Sequence, residues 1–147
     1  MPQAMATEIE RQCETIEACY EFTLSYAARG LPADDGGDAG RQLRENLTRA
    51  VAAMRGLEHS YAEAVQLGQL APAEKFEAFF PVLQRDAEGA IASAELVLAQ
   101  PAIGSQLVDN LNASIHLRAL LADLFLVTEI LDARRTHAAA DGVAGSR

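Results

Sequence analysis

Four carboxylates, Glu10, Glu14, Glu17 and Glu21, fall within a sector of about 60° when successive residues are set 100° apart around a helix. Like charges so placed repel, so the stripe either stays in water beside Arg44 and Arg55 of a neighbouring segment or faces inward to hold metal. Cys13 and Cys19 share the same segment. They stand roughly 120° apart, too far round the axis to bridge, which predicts two buried free thiols. A second polar group, Asn110, Asn112 and Ser114, offers either a pocket at one end of the fold or a buried amide that fixes helix register.

Metal chemistry can be tested on spacing. Ferritin-like bundles hold two irons with a Glu from each of two helices and Glu-x-x-His from each of the other two. His59 follows Glu58 directly, His116 follows Asn112-Ala-Ser-Ile and His137 follows Arg134-Arg-Thr, so that ligand pattern fails at every histidine. His116 with Arg118 and Ala119 is loosely similar to the phosphoacceptor helix of histidine-phosphotransfer domains. Their usual His-x-x-Lys-Gly is replaced here by Ala119 and Leu120 at the last two positions. There is no Gly-rich phosphate loop, no nucleophile elbow and no Cys-x-x-Cys, so no catalytic, cofactor or metal residue is assigned.

These residues belong to a chain of 147, half of it hydrophobic and 22% charged, with a formal net charge of -9. That length fits one domain able to bury a core without a metal or disulfide staple. Excess negative charge, the absence of Trp and the lack of aromatics interleaved with Arg exclude a nucleic-acid partner. The first seven residues have neither the basic nor the apolar region of a signal peptide, which predicts a cytoplasmic location.

The elements follow from caps and periodicity. Thr7 and Glu10 form a Thr-x-x-Glu capping box, after which Ile9, Cys13, Ile16, Tyr20, Leu24 and Ala27 recur at threes and fours until Gly30 and Pro32. Cys19, Phe22 and Tyr26 make a patch beside that seam. After a loop in which Asp38 could cap, Leu43, Leu47, Ala50, Met54, Leu57, Tyr61 and Ala64 mark a long second helix from about Gly40 to Gln69. A third carries Phe76, Phe79, Phe80, Leu83, Ala87, Ala90, Ile91, Ala94 and Val97, with Pro81 inside it predicting a kink or break. A fourth runs from about Ala102 to Arg135. No alternating β-branched run bounded by turns is present. The pattern predicts an all-α, up-down-up-down four-helix bundle over residues 1–136 with a flexible tail over 137–147.

Helix four is apolar on two sides. Leu117, Leu121, Leu124, Thr128 and Leu131 form one face, and Ile115, Ala119, Ala122, Leu126 and Ile130 the opposite one. Arg118, Asp123, Glu129 and Asp132 interrupt the run, which excludes a membrane span. A second copy covering Ile115, Ala119, Ala122, Leu126 and Ile130 satisfies both faces, each large residue contributing about 1.5 to 3 kcal/mol before association entropy. The expectation is a homodimeric binding, scaffold or regulatory protein. The alternatives are a metal- or small-molecule-binding bundle enzyme using the helix-one carboxylates and a histidine-phosphotransfer-like module.

Overall fold

The computed structural model describes residues 7–33 and 37–145, with side chains to residue 140. The chain is all-helical. Among the described residues six helices follow one another: α1 (Glu8–Ala28), α2 (Asp38–Arg55), α3 (Leu57–Gln66), α4 (Ala73–Leu98), α5 (Ser105–Ala113) and α6 (His116–Gly145). α1 packs against α2, α5 and α6, and α4 closes the other side against α2, α3 and α6.

The capping box at the start of α1 forms as its sequence requires. Thr7 Oγ1 accepts from the Glu10 amide at 3.2 Å, and Glu10 Oε1 accepts from the Thr7 amide at 2.9 Å. Beyond Ile16 the buried stripe of α1 runs through Cys19, Thr23 and Tyr26, while Leu24 is exposed. The expected seam through Tyr20 and Leu24 is therefore rotated by one position. Cys19 and Tyr26, expected as a side patch, are core.

The second predicted helix is two. Its seam survives intact, with Leu43, Leu47, Ala50, Met54, Leu57, Tyr61 and Ala64 all buried. The axis steps at Gly56, which closes α2 and opens α3. A Cβ on Gly56 would lie 2.6 Å from Gln12 Nε2, so the buried Gln12 amide of α1 occupies the space a side chain would need. Gly37, not Asp38, is the N-cap of α2, and Asp38 instead pairs with Arg41 one turn on.

Pro81 neither breaks nor ends its helix, since α4 runs unbroken from Ala73 to Leu98. The ring is on the exposed side, as is Glu77, whose carbonyl loses the amide partner that proline cannot supply. Phe76, Leu83, Ala87 and Ala90 hold the inner side by burial.

The predicted fourth helix is also two. α5 ends at Ala113 with Ser114 as its C-cap, and Ile115 takes a left-handed φ of 65° before its carbonyl accepts the Ala119 amide at 2.8 Å in the first bond of α6. α6 continues to Gly145, through the region assigned from sequence to a flexible tail. The start of α5 is stitched to the end of α1. Tyr26 Oη donates to the Ile103 carbonyl at 2.8 Å, Ser105 Oγ donates to the Tyr26 carbonyl at 2.6 Å, and the Leu31 amide donates to Ser105 Oγ at 2.7 Å.

Candidate functional site

α6 presents its core face through Leu117, Leu120, Leu121, Leu124, Val127 and Leu131, all buried. That stripe is wide enough for contact with both α1 and α4, and it leaves the opposite side outward. On that outer side Leu126 is 54% exposed and Ala122 is exposed, while Ala119 and Ile130 are half-buried at its margin. Ile115 is also 54% exposed, but it belongs to the joint before α6 and not to a helical face. Four of the five predicted interface residues thus share one helix, and the fifth flanks its start.

Two further large apolar side chains are exposed, one on α6 and one on the adjoining α4. Phe125, 43% exposed, stands on the α1 side of the outer face, and Val82 of α4 is 41% exposed. Phe125 was legible from its 100° offset beside the core stripe. Val82 was not, because nothing local shows that its segment lies beside α6.

Between α1 and α6 runs a groove of about 360 Å³ lined by Glu10, Cys13, Glu14, Glu17, Phe125, Thr128, Glu129 and Asp132. The glutamate stripe of α1 therefore meets further acids of α6, and the expected pairing with Arg44 and Arg55 does not form. Arg44 donates instead to the carbonyls of Leu98 and Gln100 at 3.0 and 2.6 Å, closing the end of α4 where a cation suits the dipole. Arg55 pairs with Glu95 at 2.6 Å. Glu10 finds Arg135 of α6 at 2.7 Å. Burial pushes the Glu10 carboxyl up, but hydrogen bonds from Arg135 and Thr7 outweigh it and hold the carboxyl below its ordinary value.

Cys13 and Cys19 are free and buried. Burial, with Glu17, Glu14 and Glu10 adding to it, pushes the Cys13 thiol up to about 11, and burial pushes that of Cys19 up to about 12. His59 lies on α3, and His116 and His137 lie on α6. His59 is exposed beside Glu63 at 3.4 Å, His137 is exposed on α6, and the His116 ring stands over Gly89, where an added Cβ would meet Nδ1 at 3.1 Å. Among the described residues no group of three or more His, Cys, Asp or Glu could hold a metal ion.

Of the polar group at the predicted end of helix four, Asn112 alone reaches across the fold, donating to the Thr23 carbonyl at 3.2 Å. Ser114 turns back on the Leu111 carbonyl, and Asn110 accepts from Gln106. The break at Ile115 removes the continuous stripe that would have joined Asn110 and Ser114 to the core face of α6.

One further juxtaposition has no counterpart in the sequence reading. Asp123 of α6 lies against Asp86 of α4, and burial together with that second carboxyl pushes Asp123 up to about 7. No helix among the described residues is long and apolar enough to cross a membrane. Comparison with known protein families, curated proteins and solved structures finds no match.

Proposed function

We propose that this protein is a homodimeric binding or scaffold protein whose subunits pair through the outer face of α6. The observation that carries it is the run of Ala122, Leu126 and, at its margin, Ala119 and Ile130 along one helix, with Phe125 of the same helix also exposed. Other exposed leucines are scattered, Leu24 in α1, Leu67 just after α3 and Leu96 in α4. Contiguous apolar surface of this kind favours a partner. Ile115 supports the same view. A β-branched residue at positive φ costs about 1 to 3 kcal/mol, and its 54% exposure leaves much of its side chain free to pack against another chain.

The scaffold is an up-down-up-down four-helix bundle in which α2 with α3, and α5 with α6, each stand for one broken arm. Among the described residues no group of three or more His, Cys, Asp or Glu is gathered as a metal site, and the exposed apolar face of α6 favours binding.

Light scattering across a concentration series tests the pairing. The wild type is expected at twice the chain mass and Leu126→Glu at the chain mass, with unchanged helical circular dichroism. A wild type that stays monomeric at high concentration overturns it.

A second reading is favoured by the α1–α6 groove. Its carboxylates beside the Phe125 ring suit a small organic cation, which the ring face and the acids would hold together. Calorimetric titration with a polyamine tests it, and absence of heat at millimolar ligand rejects it. The phosphotransfer alternative rests on His116 alone, and failure of the protein to take phosphate from acetyl phosphate or a phosphorylated receiver removes it.

A further inference from the structure

On the basis of the α6 pairing proposed above, we infer that the second copy lies antiparallel along α6, in a register that sets Ala122 against the partner's Leu126 and Arg118 against the partner's Glu129.

The outer face has two edges. At 100° per residue Arg118 and Glu129 fall about 20° apart on one edge, and Ala119 and Ile130 fall about 20° apart on the other, with Ala122 and Leu126 between them. Arg118 and Glu129 are both exposed, and among the described residues neither has an ion-pair partner within its own chain. They are three helical turns apart, about 16 Å, too far to meet each other.

A two-fold axis that runs two facing helices antiparallel brings like edges together, whereas one that runs them parallel brings unlike edges together. In the parallel case the Arg118 and Glu129 edge would lie on Ala119 and Ile130, burying charge against apolar side chains. In the antiparallel case each Arg118 meets a Glu129. A single register then satisfies all three rows of the face. Arg118 opposes the partner's Glu129, Ala122 opposes the partner's Leu126, and Ala119 opposes the partner's Ile130, and the midpoint of every pair falls between residues 123 and 125. Each large apolar residue thereby meets an alanine, the size step that lets two helices approach closely. The incoming guanidinium also supplies positive charge to the rim of the acidic α1–α6 groove, which Glu129 lines.

Charge reversal tests orientation and register together. Arg118→Glu and Glu129→Arg are each expected to weaken dimerisation by roughly tenfold in sedimentation equilibrium, because two pairs per dimer become repulsive. The double variant is expected to recover to within about threefold of the wild type. Weakening by Glu129→Arg, which lowers the net negative charge of the chain, is the result that a merely general charge effect would not give. Single variants that dimerise like the wild type, or a double variant that fails to recover, overturn the register while leaving the α6 pairing standing. A wild type that is monomeric overturns both. Orientation is read separately from Ala133→Cys under oxidation, the native thiols being buried. In the antiparallel register the two introduced thiols are about 27 Å apart and stay reduced. A disulfide-linked Ala133→Cys dimer shows the parallel arrangement and overturns the inference.

Discussion

Asp123 of α6 and Asp86 of α4 place two carboxyls side by side, and the buried Oδ2 of Asp123 has no hydrogen-bond partner. One proton held between them answers both features, since it removes a charge and supplies the missing donor. α4 and α6 are therefore joined by a contact that depends on pH.

The sign follows from linkage. Asp123 titrates near 7 in the folded chain against 3.8 when unperturbed, so the native state holds a proton that the unfolded state releases. Stability is fully present below about pH 4 and is lost as pH rises through about 7. The loss is expected to be about 1 to 2 kcal/mol, less than the full shift would give because the carboxyl is partly open to water. Asp123→Asn should flatten that fall and unfold at higher urea than the wild type at pH 8. Identical pH profiles for the two proteins would rule out a shared proton.

Ile115 is held at φ 65° with half its side chain in water. Asn tolerates that conformation better than a β-branched residue does. Ile115→Asn is expected to raise the stability of the fold by about 0.5 to 1 kcal/mol in urea while weakening self-association. Loss of stability with dimerisation unchanged would show that Ile115 serves its own chain and not the partner.

Gly104 sits where the α4–α5 connection crosses the strand of chain after α1. A Cβ there would lie 2.8 Å from the Ala33 amide nitrogen and 3.0 Å from the Pro32 carbonyl carbon, both backbone atoms unable to swing aside. Gly104→Ala should cost about 2 to 3 kcal/mol, read as a lowered Tm, although its φ of -101° suits any residue. An unchanged Tm would mean that this crossing opens freely.

Cys13 and Cys19 should resist thiol reagents in the native state. With thiols at about 11 and about 12 against the unperturbed 9, the thiolate fraction at pH 8 falls by roughly a hundredfold or more, and burial blocks access as well. Native protein is expected to label far more slowly than protein in denaturant. Rapid labelling of either thiol in the native state contradicts its placement in the core.

Features that depend on residues within about four positions of one another are legible along the chain. The Thr7–Glu10 cap, the buried seam from Leu43 to Ala64 and the two apolar sides of α6 are all of this kind, because capping and helical periodicity are local. Features that depend on a distant neighbour are not. Position 56 has no room for a side chain because Gln12 lies over it, and Pro81 does not end a helix because its ring faces outward while Leu83 and Ala87 hold the other side. Glu10 takes Arg135 in place of the arginines of α2, and Asp123 meets Asp86. Each of these is settled by which helix packs against which, a global balance of burial to which no short window of sequence has access.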